Sequence, residues 1–394
     1  MALVSRVLRR ASPFFQKRYE TTLTSLTKDE ILMLLRPPFS NWSNIIREAE
    51  KVVGYPTSFM NLRCLLSDEF ANLALYLRKL VGSNHLVMQT AKNVLYGDSK
   101  NLQPWGLVIL LLSKSVQTTD SNAYQKQRQL AELTEMMRTG HLIHRGIVNV
   151  PFAKRSKSTE SAIFGNKIAI LLGDYLLVTA NSMLAGLKDA DVLYTVSTAL
   201  RDLSESEFFG DRDEQNMPLP GKPKTVKDNL NIVFDIAEIN ETDVLGKSRK
   251  EWTVRTVYNG VSLLGRGCQS AMVLGGQTHE TQNLAYHFGC HVGLAWQAAA
   301  EIQKVMEKDQ FCLASAPVLF ALERNPDLYK SIAKAKTDVN NIDYDDLKFN
   351  ILKTDAIDKT KVLYEEHAKK AIAYIDSIGQ NESVDMIKKL INTF

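Results

Sequence analysis

The 394-residue chain is predicted to be all-α on three observations. Apolar residues recur at helical spacing along most of its length, period-two alternation is scarce, and the connections between periodic segments are short. With 45% hydrophobic residues a chain this long can bury a large core, and length alone would permit two or three domains.

The periodicity predicts helices over Lys28 to Leu35, Asn44 to Val53, Asp68 to Leu80 and His85 to Leu95. Trp105 to Ser113 follows Pro104, a residue suited to helix starts, and holds an eight-residue apolar run to Leu112 that reads as a buried core helix. Asn122 to Gly140, Ser161 to Leu187, Ala190 to Phe208 and Val226 to Glu238 come next. Within the second of these, Ile168 to Leu177 is apolar apart from Asp174 and also reads as buried core. One long helix is predicted from Lys247 to Leu274, stopped by Gly275-Gly276. The remainder are Glu280 to Glu307, Ala316 to Arg324, Tyr344 to Lys353, Asp355 to Ser377 and Glu382 to Thr393. The clearest break, Asp211 to Lys224, is rich in proline and charge, and reads as a surface loop because the apolar helices on both sides need partners. We therefore expect residues 26–394 to form a single helical domain.

Charge placement narrows the function class. The chain carries +4 overall, but Arg6, Arg9, Arg10, Lys17 and Arg18 against Glu20 already account for +4 in the first twenty residues, so the rest is neutral. A nucleic-acid surface is disfavoured. In that leader Leu3, Val4, Val7 and Leu8 share one helical face while Arg6, Arg9 and Arg10 lie largely on the other, the pattern of a mitochondrial transit peptide, here residues 1–25. A mitochondrial matrix location follows as an expectation. No stretch approaches the roughly 20 apolar residues needed to span a bilayer, so no transmembrane segment is expected. Cys64, Cys268, Cys290 and Cys312 are widely spread without a C-x-x-C pair, and buried free thiols are the default.

Two segments carry the functional signal. The first runs Glu135-Met136-Met137-Arg138-Thr139-Gly140-His141-Leu142-Ile143-His144-Arg145-Gly146-Ile147-Val148-Asn149; the second runs Gly293-Leu294-Ala295-Trp296-Gln297-Ala298-Ala299-Ala300-Glu301-Ile302-Gln303-Lys304. Around them stand Phe164-Gly165-Asn166-Lys167 leading to Gly173-Asp174-Tyr175-Leu176-Leu177, Leu203-Ser204-Glu205-Ser206-Glu207, and Ser315-Ala316-Pro317-Val318-Leu319-Phe320-Ala321-Leu322-Glu323. Together, over roughly residues 65 to 394, these segments resemble the all-trans polyprenyl diphosphate synthase family. There the first segment ends in D-D-x-x-D, the second carries Q-x-x-D-D-x-x-D, and the third and fifth read F-G-x-x-x-A-I-L-x-G-D-Y-L-L and T-A-P-V-L-F-A-L-E.

The resemblance implies the fold, an isoprenoid-synthase helical bundle, and it implies where chemistry should be. Family members ionise an allylic diphosphate whose leaving group is stabilised by magnesium, a hard cation that takes oxygen ligands. Carboxylates at i, i+1 and i+4 put their oxygens on one helical face, so two such helices cage the metals. In this chain those six positions are Arg145, Gly146 and Asn149, then Ala300, Glu301 and Lys304. Two intact motifs would carry a formal −6; these residues sum to +1. The family's G-G-K-R-x-R-P cation clamp stands here as Asp98 to Pro104 and keeps only Lys100, and its K-T-A element corresponds to Asn259-Gly260-Val261, with Arg255-Thr256 one turn earlier.

No catalytic residue and no metal ligand are therefore expected in this chain, and no cofactor of its own, with Mg2+ belonging to a catalytic partner. The resemblance implies a non-catalytic subunit that assembles with a catalytic polyprenyl diphosphate synthase subunit, as a heterotetramer, into the enzyme that adds isopentenyl diphosphate to an allylic diphosphate to build the decaprenyl side chain of ubiquinone. An alternative is metal-independent binding of a prenyl diphosphate, with Arg145 and Lys304 as its cations and Lys100 as a further contact. A third is an active enzyme using displaced carboxylates, Glu301, Glu307 and Asp309 or Glu132 and Glu135. His287 and His291, at i, i+4 around Cys290, could ligate zinc but lack a third ligand at helical spacing, and His141 and His144 read as scaffold.

Overall fold

The computed structural model describes residues 42–55, 104–118, 120, 122–149, 157–224, 240–307, 310–334, 339 and 342–393. The leader, Lys100, Cys64, Asp309 and the helices expected from Lys28, Asp68, His85 and Val226 fall outside these residues. Within them the fold is all-α, the only extended pairing being an isolated bridge between Arg212 and Pro218.

In chain order the helices are α1 (Trp42–Val53), α2 (Trp105–Ser115), α3 (Ala123–His144), α4 (Lys157–Gly186), α5 (Ala190–Glu205), α6 (Glu241–Val244), α7 (Ser248–Thr256), α8 (Ser262–Leu274), α9 (His279–Met306), α10 (Ala316–Arg324), α11 (Leu328–Ala333), α12 (Tyr344–Leu352), α13 (Ala356–Ile378) and α14 (Glu382–Ile391). Local sequence explains their starts. The Asp189, Thr278, Asp343 and Asn381 side chains accept backbone N–H groups at the heads of α5, α9, α12 and α14. At α2, whose own N-cap is Pro104, the cap comes from elsewhere: Glu135 on α3 accepts the Gly106 N–H at 2.8 Å.

Helix α9 is the spine. It packs along α13 on one side and α8 on another. Ala285, Phe288, Val292, Ala295 and Trp296 join one apolar core with α1, α2, α3, α8 and α14, while Tyr286, Cys290, Leu294, Ala298 and Val305 join a second with α7, α10 and α12. A helix that is apolar around most of its circumference can be stable only when covered on several sides. His291 on α9 lies against His367 on α13, Nδ1 to Nδ1 at 2.7 Å, so one ring donates and the other accepts. Tyr374 stacks on both His287 and His291, and burial pushes the latter down to about 2. Among the described residues no three His, Cys, Asp or Glu converge to hold a metal ion, and these histidines pack α9 against α13.

The helix expected from Lys247 to Leu274 is three pieces. Between α7 and α8 a π-helical turn spans Val257–Val261, and Gly260 within it has φ 144°. Periodicity could not show this break, because the apolar pattern continues through it. A Cβ at Gly260 would also stand 2.7 Å from Cη2 of Trp105. Gly260→Ala is expected to cost roughly 3 kcal/mol, from a disfavoured φ and a packing clash together, read as a lower denaturant midpoint at unchanged slope. A midpoint equal to the parent's would show that the turn is not constrained in this way.

Helix α4 corrects one expectation. Ile168, Leu172 and Leu176 are buried against α3, but Ile170, Leu171, Tyr175 and Val178 face outward, with Leu171 56% and Val178 68% exposed. The segment is therefore half core and half open surface. By length and composition Ala162–Gly186 is also apolar enough to cross a membrane, a property it shares with helices that pack one face into a core as this one does, and it does not overturn the expectation of no transmembrane segment. Cys312 is a further correction: Cys268 and Cys290 are buried free thiols as expected, whereas Cys312 is exposed.

Candidate functional site

The two motif segments sit on α3 and α9, and the space between their ends is a pocket of about 180 Å³. Its lining includes Arg145, Arg212, Arg255, Asn259, Gln297, Glu301 and Cys312. Of the six predicted motif positions, only Arg145 and Glu301 line it; Lys304 turns outward, half exposed, and pairs with Glu307 at 3.0 Å. The two-cation clamp of Arg145 and Lys304 is thus not assembled around this cavity.

Each retained or replaced position is tied to the protein itself. Arg145 caps the end of α3 and donates through Nη1 to Asn259 Oδ1 at 2.7 Å, while its Nε lies 3.5 Å from Glu207. The two positions where the family pattern places an aspartate and a lysine have therefore become an arginine and an asparagine that bond to each other. Gly146 closes the turn after α3, its N–H bonded to Ile143 O. Asn149 is stitched to the loop that follows α5: its N–H donates to Gln215 Oε1 at 2.9 Å, Gln215 Nε2 returns a bond to Asn149 O at 3.1 Å, and its side chain donates to Glu214 O.

Glu301 is the surviving carboxylate, and its oxygens are occupied. Oε1 accepts from Gln297 Nε2 at 2.7 Å; Oε2 accepts from Trp252 Nε1 and from the Ala316 N–H, each at 2.8 Å. It is the cap of α10, a helix whose N-cap residue Ser315 makes no side-chain cap bond. Burial raises its carboxyl to about 7, against the opposing effect of its three donors.

The other candidate carboxylates are scattered. Glu132 accepts the Tyr55 hydroxyl at 2.5 Å, Glu135 caps α2, and Glu307 holds Lys304 and Gln303. The scaffold reading of the α3 histidines has a clear geometry. His144 lies 3.3 Å from Asp174 and its ring fills the space where a Cβ at Gly173 would stand, 2.2 Å from Cδ2, which is why glycine and aspartate occur together there. His141 is pushed down to about 4 by burial and then by Arg145.

A divalent-cation cage does not fit these residues. Magnesium asks for several oxygen ligands in near-octahedral array, and the one carboxylate present is spent on N–H donors while a guanidinium points into the cavity.

A model of the polyprenyl synthetase family matches residues 85–344. The chain belongs to the polyprenyl synthetase family. The all trans-polyprenyl-diphosphate synthase PDSS2 of Mus musculus is 33% identical over 371 residues, covering 89% of this chain and 86% of that one. A probable mitochondrial hexaprenyl pyrophosphate synthase of Yarrowia lipolytica is 25% identical over 447 residues, covering 95% and 93%. Among solved structures, the geranylgeranyl pyrophosphate synthetase of the archaeon Geoglobus acetivorans superposes with TM-score 0.57 at 16% identity over 90% of this chain and 98% of the other. A decaprenyl diphosphate synthase from Rhodobacter capsulatus gives TM-score 0.53 at 14% identity over 84% and 96%. These two structural likenesses speak to the fold. Within this polyprenyl synthetase family member, Arg212 and Cys312, which line the pocket, and Trp252, which bonds its Glu301, were not singled out from sequence as parts of the site, because the loop after α5, helix α7 and the segment before α10 meet there only through tertiary packing.

Proposed function

We propose that this chain is the non-catalytic subunit of a heteromeric polyprenyl diphosphate synthase, of the class that builds the decaprenyl side chain of ubiquinone from isopentenyl diphosphate and an allylic diphosphate. Its place is the mitochondrial matrix, in a heterotetramer with a catalytic subunit that carries the intact D-D-x-x-D motifs and the magnesium. The observation that carries the reading is Glu301: the one acid left at the six cation-binding positions serves as a helix cap, while Arg145 bonds Asn259 where acid and lysine stand in the family pattern. A fold kept while its chemistry is dismantled has been kept for its surfaces.

The apolar face of α4 and α5 is the surface that fits a protein partner. Ile163, Ile170, Leu171, Tyr175 and Val178 on α4 and Leu193 and Tyr194 on α5 are all exposed. Soluble chains seldom leave so many large apolar groups open unless something covers them.

Co-expression with the organism's D-D-x-x-D synthase, followed by copurification and product analysis with each subunit omitted in turn, tests the proposal. The pair should elongate prenyl chains in magnesium, and this chain alone should not. Elongation by this chain alone, or the absence of any complex, would refute it.

A further inference from the structure

We propose that the seam between α9 and α13 is a proton-sensitive latch, in which the buried pair His291 and His367 holds α13 to the bundle while both rings are neutral and releases it on acidification. Nothing in the subunit reading requires this device, so either can fail without the other.

The geometry sets the condition. The two rings face each other through Nδ1 at 2.7 Å, and both are almost wholly out of water, His291 at 3% and His367 at 0% exposed. A bond shared by two imidazole nitrogens needs one N–H and one lone pair, so only one of the two Nδ1 atoms can carry a proton. Protonating both rings puts an N–H on each Nδ1, which removes the bond and sets two cations against each other. A first added proton can sit on an Nε2 and spare the bond, but it still places a charge in the core. At His367 that Nε2 is buried with no hydrogen-bond partner among the described residues, so a cation there would lack an acceptor.

The groups around the pair offer no spare negative charge. His287 stands on α9 itself; Glu366, Lys370 and Tyr374 come from α13; Arg249 and the Trp252 ring, 6.1 Å from that of His367, come from α7. Among the described residues the one carboxylate acting on either ring is Glu366, and it accepts Arg249 Nη2 at 2.5 Å and Lys370 Nζ at 2.9 Å. One acid thus answers two cations before any histidine is charged. Burial works against the Glu366 carboxylate, but Arg249 and Lys370 bring it down to about 2, so it stays committed to them. Burial, then His367 and Lys370, push His291 down to about 2; burial, against Glu366, pushes His367 down to about 3.

The sign follows from linkage. Both rings bind a proton less tightly in the folded chain than at the ordinary histidine value of 6.5, so the latch is at full strength above that pH and weakens as pH falls below it. Each ring makes opening about tenfold more favourable per pH unit, and the pair about a hundredfold. Opening should begin locally, because α13 has α9 as its main support and exposes much of its outer side, while the α3–α4 and α8–α9 seams do not depend on the pair.

Amide hydrogen exchange of the full chain between pH 7.5 and 5, corrected for the intrinsic exchange rate and located by peptide mass spectrometry, is the test. Protection of α13 is expected to fall by roughly tenfold to a hundredfold per pH unit below about pH 6.5, ahead of α3 and α8. This readout uses the unmodified sequence and does not depend on any variant folding. His291→Gln and His367→Gln each keep a hydrogen-bonding side chain and remove one titrating ring, so each should flatten that slope by about tenfold per pH unit. The proposal is overturned by α13 protection that is constant over this range, by loss of protection in α13 only together with α3 and α8, or by a slope unchanged in both folded variants.

Discussion

Leu171→Glu combined with Val178→Glu is expected to leave this chain folded and to abolish its copurification with the catalytic subunit. Both side chains are more than half exposed, so the new carboxylates stay hydrated in the free chain and its melting temperature should move little. In a complex that covers the α4 face, two carboxylates would be taken out of water without partners, at several kcal/mol together, and affinity should fall by about a thousandfold or more. Product formation by the pair should drop in parallel. Alanine at the same positions gives a milder loss, since it removes area without adding a buried charge. If the double glutamate variant copurifies as well as the parent, the α4 face is not where the partner binds.

Glu301→Ala is the second large effect, and it falls on stability. Truncation strands the Trp252 Nε1–H, the Gln297 amide and the first free N–H of α10, of which the indole is almost wholly buried. At about 1 to 3 kcal/mol for each unsatisfied buried donor, with the half-buried Gln297 able to recover water, a loss of roughly 3 kcal/mol is expected in denaturant unfolding. The pH dependence carries the sign. The folded-state carboxyl is raised from 4.5 to about 7, so the folded chain holds the proton more tightly than the unfolded one. Its contribution is fully present below about pH 4.5, is lost as pH rises through 7, and is constant above. That slope should vanish in Glu301→Ala. A parent whose stability between pH 5 and 7.5 runs parallel to the variant's would show that Glu301 is not raised.

The helices were largely legible. Trp105 to Leu112 and Ala316 to Arg324 lie where periodicity puts them, the first also behind Pro104, because an apolar stripe of helical spacing is buried in both. Helix α3 runs four residues past its expected end at Gly140, since that glycine is accommodated by close packing against Gly173 O and Leu177 instead of ending the helix. The π-turn at Gly260 was not legible, as the apolar pattern runs through it and the Trp105 ring that its Cα faces comes from a distant helix. Nor was the openness of one face of α4, because hydropathy measures how apolar a residue is and not what covers it.

For the site, the chain's own sequence determined what is missing. The acids at five of six positions are gone, and no folding can restore oxygen ligands that the side chains lack. Tertiary structure alone decided what the remaining groups do. Glu301 could have faced the cavity as a ligand but is claimed by Trp252 and the head of α10; Lys304 lies one turn farther along α9 and points to water; Arg212 and Arg255 arrive from a loop and a helix with no spacing relation to Arg145. Composition and spacing fix which chemistry a chain can supply, because that is a property of covalent groups. Which of those groups meet is fixed by long-range packing, whose energies are spread over both cores and leave no mark at the positions concerned.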